Sequence, residues 1–470
     1  MAYSINHAQP PLGFIPPKFK PLLWQGTKLL IPAWIKTLTS ISEITGENLE
    51  TLVDLYRQYQ EKNIRFLIAF RHPSADDSYC MGYLLWYLVP KMAKKLGISL
   101  KSPIHAHFIY DRGIPLWAGN GVGWIYSNLG GTPIYRGKVD RIGLRSARDL
   151  FAHGRFPMAA APEGATNGHN EIVSPIEPGI AQLGFWCVED MQKDQRPEKV
   201  IILPLGIKYS YVSPPWDAIE QLLQELETDI GLSARENNLY SLPITIPPGI
   251  NDKEANLYRR LLRVGSHVVS IMEDFYTRFY HQKLPDDLPE LLASSPDLNT
   301  TLEKRLPALL DIGLKVAEQY FNIQPKGNFI DRCRRLEQAG WDRIFREDIK
   351  SLETLSPLEK GLADRIAEES NLRMWHMRLV ESFVAVTGQY VREKPTAERF
   401  AETTLLLWDV VARIKAGNPF KRPSLGKQKA KITVGEPISV SQRWDNYQNN
   451  RRKAVSDLTK DLQTALEKML

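Results

Sequence analysis

Two short and almost wholly apolar stretches constrain the fold of this chain more than any other feature. Residues 66–70 and 200–207 are too short for buried helices, and each is flanked by Arg or Lys. Runs of this length are typical of strands that are buried on both faces. Residues 104–110 and 156–161 indicate further strands, and helical periodicity lies between several of the runs. The sequence therefore predicts an α/β fold, with a mixed sheet flanked by helices.

Composition sets the outer limits on function. The chain has 470 residues, 43% of them apolar, and a net charge of +6, which suits contact with phosphates or an anionic membrane surface. Cys80, Cys187 and Cys333 are too widely spaced for a disulfide framework or a zinc cluster. No signal peptide pattern and no apolar run of about 20 residues is present. We therefore expect a cytoplasmic protein, soluble or peripheral on a membrane surface.

A histidine follows the first apolar run, and an aspartate follows five residues later. Pro73 keeps His72 in extended backbone, and Ser74 is able to cap a helix that starts near Ala75, with Asp77 in the capping-box position. A five-residue step would separate the two side chains on a helix, so His72 and Asp77 meet only through a turn. A histidine held by a carboxylate is an oriented base. The alternative is an ordinary loop histidine beside a helix-start acid.

Three more short blocks follow in order. The first ends a short strand with an arginine, the second places a glutamate on a glycine-containing turn, and the third lies within the second apolar run. An arginine at a strand end suits a phosphate, although it is more often a surface ion-pair partner. A glutamate beside glycine suits the hydroxyls of a ligand that approaches the backbone closely. The blocks are Ile134-Tyr135-Arg136, Pro162-Glu163-Gly164 and Ile202-Leu203-Pro204.

The ordered set, His72 with Ser74 and Asp77 followed by these three blocks, resembles the motifs of the glycerolipid acyltransferase family, which includes the bacterial 1-acylglycerol-3-phosphate acyltransferases. The resemblance implies that His72 and Asp77 are catalytic. It further implies an acyl-CoA or acyl carrier protein thioester as donor, a lysophospholipid as acceptor, and phosphatidic acid as product. It implies no metal and no other cofactor. The residues that it assigns to substrate binding are Arg136, Glu163, Gly164, Ser74 and Thr166.

The sequence departs from the family pattern at three places, one of which is Ala161, where the family usually has Phe before Pro162. Arg71 stands where the family commonly has Asn, which adds a cation beside the base. Thr166 stands where the family commonly has Arg, and a threonine cannot replace a bidentate phosphate donor. Glycerol-3-phosphate or a neutral lysolipid therefore stays open as the acceptor, with Lys138 or Lys208 as other sources of charge.

The far end of the chain carries the last part of the resemblance. Residues 431–438 look like the late strand that closes the domain in this family, which makes residues 212–428 an inserted all-α subdomain. The acyltransferase domain is then 46–211 plus 429–470. Within the insertion, Ser356 with Glu359 and Thr300 with Glu303 predict capped helix starts.

Two segments suggest contact with a membrane. Residues 1–45 are rich in Pro, and from residue 19 they mix Leu, Ile, Trp and Lys without acids until Glu43, which fits an interfacial segment or a helix packed on the domain. Pro32 predicts an interruption of that helix. Residues 413–431 carry seven cations and no acid, which fits an anionic bilayer or a solvated loop.

Three functions compete on these observations. The first is acylation of 1-acylglycerol-3-phosphate, and the second is the same chemistry on another acceptor. The third is a catalytically silent membrane-surface or partner-binding protein, in which case His72 and Asp77 should not hydrogen-bond or no apolar channel should reach them. Nucleic-acid binding is not expected, because the basic residues lack interleaved aromatic residues.

Overall fold

The protein divides into two compact units. The computed structural model describes residues 6–114, 119–135, 140–166, 168–232, 243–285, 297–383, 388–419 and 421–470. One unit comprises Gly13–Val212 and Lys427–Leu470, and the other comprises Ser213–Gly426 with Met1–Leu12. The expected amino-terminal segment 1–45 is therefore split between the two units at residue 12.

The first unit begins with helices that alternate with strands. In chain order, its elements are α1 (Pro21–Leu38), β1 (Ile41–Glu47), α2 (Leu49–Gln60), β2 (Ile64–Phe70), α3 (Asp77–Tyr83), a π-helical segment (Leu84–Leu88), α4 (Val89–Lys95), β3 (His107–Asp111), α5 (Asn120–Asn128), β4 (Thr132–Ile134), α6 (Arg141–His153), β5 (Met158–Ala160), α7 (Gly179–Lys193) and β6 (Lys199–Tyr211).

The described elements of the second unit are all helical. They are α8 (Trp216–Asp229), α9 (Asp252–Tyr280), α10 (Leu298–Phe321), α11 (Phe329–Ile344), a 3₁₀ turn (Leu352–Thr354), α12 (Pro357–Phe383), α13 (Tyr390–Glu393) and α14 (Ala397–Ile414). The chain then returns to the first unit with β7 (Gln428–Val434), β8 (Ile438–Ser439), a 3₁₀ turn (Ser441–Arg443), α15 (Trp444–Asn449) and α16 (Arg451–Glu467).

The eight described strands form one mixed sheet, which confirms the predicted α/β class. Their order is β1-β7-β6-β2-β5-β3-β4, and β8 pairs with β6. Strands β2 to β6 run parallel to their neighbours among them, whereas β7 lies antiparallel to β6 and parallel to β1. Every residue of β2 is buried, as the uninterrupted apolar pattern predicts for a central strand covered on both faces.

The chain leaves the sheet from β6 to form the helical unit and returns to it at β7, the strand next to β6. Tyr211, the last residue of β6, pairs with Gln428, the first residue of β7. The intervening 213–426 belongs to the helical unit, so the sheet is completed only after that unit has been made. Such long-range strand pairing carries a large loop-closure entropy, which the burial of β7 between β1 and β6 offsets.

The prediction that Pro32 interrupts the amino-terminal helix is wrong. Helix α1 runs from Pro21 to Leu38 through Pro32. Proline lacks the donor for the carbonyl four residues earlier, which here belongs to Lys28. The Tyr87 hydroxyl donates to that carbonyl at 2.6 Å. A side chain of the π-helical segment therefore supplies the hydrogen bond that Pro32 cannot make.

Helix α1 has one packed face and one exposed face. Trp24, Ile31 and Ile35 are buried, and Gly82 of α3 permits close packing, because a Cβ there would lie 2.7 Å from the Ile31 side chain. Leu22 and Leu29 on the other face are 83% and 78% exposed. In the described part of the chain, no helix is both long enough and apolar enough to span a bilayer.

The sequence predicts two capped helix starts in the second unit, at Ser356 and at Thr300, and the structure confirms the first only. At the start of α12, the Glu359 amide donates to the Ser356 hydroxyl, and the Ser356 amide donates to the Glu359 carboxylate, so the predicted capping box is confirmed. The prediction for Thr300 is wrong, because α10 begins at Leu298 and Thr300 lies within it. Asp297 precedes that helix and accepts from the Thr300 hydroxyl.

Candidate active site

The predicted site residues follow strands that end at the same edge of the sheet. Strands β2 and β5 are parallel and paired from Leu67 with Met158 to Ala69 with Ala160. The carboxyl ends of parallel neighbours meet at one edge, so the loops that carry His72 and Glu163 are adjacent. The His72 amide donates to Oε1 of Glu163 at 2.9 Å, which joins the two loops directly.

His72 and Asp77 meet through the turn that the sequence predicts. Nδ1 of His72 lies 3.0 Å from Oδ2 of Asp77. The Asp77 side chain is fully buried, whereas the His72 side chain is 27% exposed. No group in the described ranges hydrogen-bonds to Nε2 of His72. A carboxylate on Nδ1 favours the tautomer with the proton on Nδ1, which leaves Nε2 as the acceptor.

The turn between the two residues differs in detail from the prediction. Helix α3 begins at Asp77, two residues later than expected. The Ser74 amide donates to Oδ2 of Asp77 at 2.9 Å, which is the predicted half of the capping box. The Ser74 hydroxyl, however, accepts from the Asp76 amide at 3.2 Å. Ser74 therefore positions Asp77 through its backbone and tightens the turn with its hydroxyl.

A tyrosine from another strand completes the surroundings of Asp77. The Tyr209 hydroxyl donates to Oδ1 of Asp77 and lies 3.4 Å from the Cys80 sulfur. Burial and the neighbouring Asp77 carboxylate raise the pKa of Tyr209 well above its usual value, so the phenol keeps its proton. Tyr209 is 132 positions from Asp77 in sequence. Periodicity gave no signal for it, because only the pairing of β6 with β2 brings it to this site.

Arg71 is buried in a cradle of backbone oxygens. Its guanidinium donates to the carbonyls of His169 at 3.1 Å, Asn170 and Ile172 at 2.6 Å. Its Nε lies 3.6 Å from Glu163, and both side chains are fully buried. The cation beside the base that the sequence predicts is thus tied to Glu163 and to the loop 169–172, which it fixes to the end of β2.

Both carboxylate oxygens of Glu163 accept hydrogen bonds from backbone amides. Its Oε1 accepts from the His72 amide and its Oε2 accepts from the Ser174 amide at 3.0 Å. Together with the Arg71 ion pair, these contacts join the loop after β2 to two parts of the loop between β5 and α7 around one carboxylate. Gly164 follows in the left-handed region, at φ 71°, and its amide donates to the Ala161 carbonyl to close a tight turn.

Of the remaining residues predicted to bind substrate, the structure describes Thr166 but not Arg136. Thr166 is exposed on the loop after Gly164. Arg136 and Lys138 lie outside the described residues, although Ile134 ends β4 at the same sheet edge. Lys208, the other suggested cation, pairs with Glu171 at 3.0 Å.

A second carboxylate lies next to Asp77. Burial and the charge of Asp77 raise the pKa of Asp76 from 3.8 to about 6. Asp76 is half-buried, and both the loss of water and the neighbouring carboxylate disfavour its charged form. The turn 73–76 therefore carries a group that titrates near neutral pH within the candidate site.

The two histidines near β3 are packing residues. His105 accepts from the Trp86 indole at 3.2 Å and donates to the Leu129 carbonyl at 2.7 Å. His107 contacts the Gly130 carbonyl at 2.8 Å. Burial lowers the pKa of both histidines to about 4. No cluster of three or more His, Cys, Asp or Glu with metal-binding geometry occurs among the residues that the structure describes.

Most of the basic run 413–431 is paired with distant acids. Lys415 pairs with Asp229 and Arg422 with Asp409 in the helical unit. The other pairs are cross-strand contacts between β7 and β1, Lys429 with Glu43 and Lys431 with Glu47. The run therefore carries less uncompensated charge than its sequence indicates.

We compared the chain with known protein families, with curated proteins and with solved structures, and none of the three comparisons gives a match. A functional assignment therefore depends on the contacts of His72, Asp77 and their neighbours.

Proposed function

We propose that this protein is an O-acyltransferase that moves an acyl group from an acyl thioester to the free hydroxyl of 1-acylglycerol-3-phosphate. The observation that carries the proposal is the His72–Asp77 pair, with 3.0 Å between Nδ1 and Oδ2 and a partly exposed imidazole at the carboxyl edge of the sheet. The donor is acyl-CoA or an acyl carrier protein, and the product is phosphatidic acid. The proposal requires no metal.

In the proposed reaction, Nε2 of His72 takes the proton of the acceptor hydroxyl as its oxygen attacks the thioester carbonyl. The carbon–sulfur bond then breaks, and the imidazolium returns the proton to the leaving thiolate. The new ester bond replaces the thioester, and no oxidant or reductant is needed. The chemistry is that of a Ser-His-Asp triad in which the substrate alcohol replaces the serine.

Asp77 stabilises the imidazolium that forms in this step. Its two oxygens accept from the His72 ring, the Ser74 amide and the Tyr209 hydroxyl. These three donors and its burial hold the Asp77 carboxylate in one place, so that it orients the His72 ring for this step. General base catalysis contributes about 10² to 10⁴ in rate, and binding both substrates close together contributes much of the remainder.

The acceptor is identified by its phosphate, for which Arg136 is the proposed ligand. Thr166 is exposed and its hydroxyl suits the glycerol part, while Gly164 allows close approach to the backbone. Glu163 acts mainly by fixing His72 and Arg71, since both its oxygens accept from backbone amides. Glycerol-3-phosphate or a neutral lysolipid is the alternative acceptor, because Arg is absent at position 166.

The exposed face of α1 is proposed to lie on an anionic membrane surface, where the lipid acceptor is found. Leu22 and Leu29 are more than three-quarters exposed, and Lys36 lies on the same helix. Helix α1 contains no acidic residue. Exposed leucines beside lysines suit the boundary between head groups and acyl chains.

The reaction is tested by thiol release from acyl-CoA and from an acylated acyl carrier protein. Each donor is combined with lysophosphatidic acid, glycerol-3-phosphate or a neutral lysolipid, supplied with vesicles. We expect release with lysophosphatidic acid and loss of that release in Arg136→Gln through a raised KM. Release with another acceptor alone would transfer the proposal to that acceptor. If folded protein releases no thiol with any acceptor or with either donor class, the chain is a binding protein and the enzyme proposal is wrong.

A further inference from the structure

A cavity lies within the first unit, between α1, the π-helical segment, α4 and the residues that precede β3. Its volume is about 340 Å³, within the usual range for small-molecule sites. Its buried wall is apolar and its exposed rim is polar, with Lys94, Ser99 and Ser102 on the rim. The buried wall consists of Trp24, Leu85, Trp86, Ala93 and Ile104.

The two tryptophans of this wall differ in how their indole donors are used. The Trp86 indole donates to Nδ1 of His105 at 3.2 Å. The Trp24 indole nitrogen is buried and has no hydrogen-bond partner among the described residues, although the Trp24 side chain lines the cavity. A buried donor without an acceptor costs about 1–3 kcal/mol. A ligand that supplies an acceptor to Trp24 would recover this energy.

Charge at the cavity favours an anion. Lys28 and Lys94 both line it, and none of the described lining residues is acidic. The Lys28 ammonium lies over the rings of Trp24, at 5.3 Å, and Tyr87, at 5.6 Å, which holds it at the cavity wall. An apolar wall with cations beside it is complementary to a molecule with one apolar chain and one negative end.

The cavity is separate from the candidate active site. Its lining residues Ser99 to Ile104 precede β3 at the amino edge of the parallel strands, whereas His72 follows β2 at the carboxyl edge. Leu85, the first lining residue after Asp77, is eight positions along the helix, or about 12 Å at 1.5 Å per residue. Leu85 and Trp86 belong to the π-helical segment, a distortion that is frequent at functional sites.

We infer that this cavity is a binding site for a single-chain amphiphile with an anionic head group. The chain occupies the apolar wall, and the carboxylate or phosphate head accepts hydrogen bonds at Lys28, Lys94 and the Trp24 indole. The inference does not depend on acyl transfer, because it assigns no reaction to the cavity. Within the described ranges, no hydrogen bond or ion pair joins a lining residue to His72 or Asp77.

Isothermal titration of the full chain with decanoate, decyl phosphate and decan-1-ol tests the inference. We expect saturable binding of decanoate, decyl phosphate or both, and at least tenfold weaker binding of the alcohol. The two anions distinguish a carboxylate site from a phosphate site. Trp24→Phe keeps the ring and removes the donor, so we expect about tenfold weaker binding, the effect of one hydrogen bond to a charged group.

Matched variants distinguish the cavity from the surface and from the candidate active site. Lys94→Gln is exposed at the rim and should weaken binding, whereas Lys95→Gln, the next residue on the same helix, should not. Ala93→Leu should occlude the cavity, and Lys94→Gln keeps the test valid if that variant does not fold. His72→Ala should leave binding unchanged. Equal binding of alcohol and anions, or equal effects of Lys94→Gln and Lys95→Gln, would overturn the inference.

Discussion

The Tyr209 hydroxyl donates a hydrogen bond to Oδ1 of Asp77, the carboxylate oxygen that His72 does not contact. Tyr209 reaches Asp77 because β6 continues beyond Leu205, where its pairing with β2 ends, to Tyr211. The long strand therefore brings a donor from the sheet to the buried side of the His72–Asp77 pair. This contact makes Tyr209 a positioning residue for the proposed base.

Tyr209→Phe removes this donor while keeping the ring. We expect kcat to fall about tenfold with KM unchanged, because the orientation and charge of Asp77 act on the transition state and not on acceptor binding. A shift in the pH profile of kcat should accompany the fall. Steady-state kinetics with acyl-CoA between pH 5 and 9 measures both quantities.

Tyr59→Phe is the matched control for that variant. Its hydroxyl donates to the Gly154 carbonyl at 2.8 Å, away from the candidate site, so a comparable loss of stability should leave the pH profile unchanged. A Tyr209→Phe variant with the activity and pH profile of the native chain would contradict the positioning role.

Glu163→Gln should lower the free energy of unfolding by about 3 kcal/mol, because removal of one partner leaves the buried Arg71 charge uncompensated. Urea denaturation measures the change. Glu43→Gln breaks an exposed pair with Lys429 and should cost about 0–1 kcal/mol. If Glu163→Gln has the stability of Glu43→Gln and only raises KM, Glu163 binds substrate and does not hold the loops together.

Asp76→Asn should stabilise the protein at pH 8 and have little effect near pH 4. Because burial and Asp77 raise the pKa of Asp76 to about 6, the folded chain binds this proton more tightly than the unfolded chain does, and stability falls as pH rises from about 4 to 6. The gain at pH 8 should be about 2 kcal/mol. Urea midpoints at the two pH values measure it, and an equal effect at both would contradict the raised pKa.

Leu22→Gln with Leu29→Gln should weaken binding to anionic vesicles by about tenfold or more, since each leucine loses about 1.5–3 kcal/mol of apolar burial. Cosedimentation with phosphatidylglycerol vesicles measures binding. Leu358→Gln with Leu362→Gln is the control, because these leucines are 74% and 60% exposed in the helical unit. Equal loss in the two double variants would exclude α1 as the membrane-facing element.

The sequence was most informative where function depends on residues close together in the chain. The turn that joins His72 to Asp77 follows from Pro73 and from the five-residue spacing, and the structure confirms that the two side chains hydrogen-bond. The buried strands β2 and β6 follow from their apolar runs. The capping box at Ser356 follows from local hydrogen bonding alone.

Contacts between distant residues were not predictable in the same way. The sequence around Tyr209 predicts only a tyrosine in a strand. Its contact with Asp77 depends on the pairing of β6 with β2. Several cations of the basic run 413–431 form ion pairs that the sequence does not indicate. Lys429, for example, pairs with Glu43, which is 386 positions away in the chain. Pro32 was a misleading signal, because the hydroxyl that satisfies the Lys28 carbonyl comes from another helical segment.

His72 is the proposed base for acyl transfer, and the rate of product formation by a His72 variant tests this role. Radiolabelled acyl-CoA is incubated with lysophosphatidic acid, vesicles and either the native chain, His72→Ala or His153→Ala, the last being an exposed histidine beside Asp194. We predict labelled phosphatidic acid with the native chain and His153→Ala, and a rate at least 10²-fold lower with folded His72→Ala. Equal product formation by all three proteins would mean that His72 is not the base.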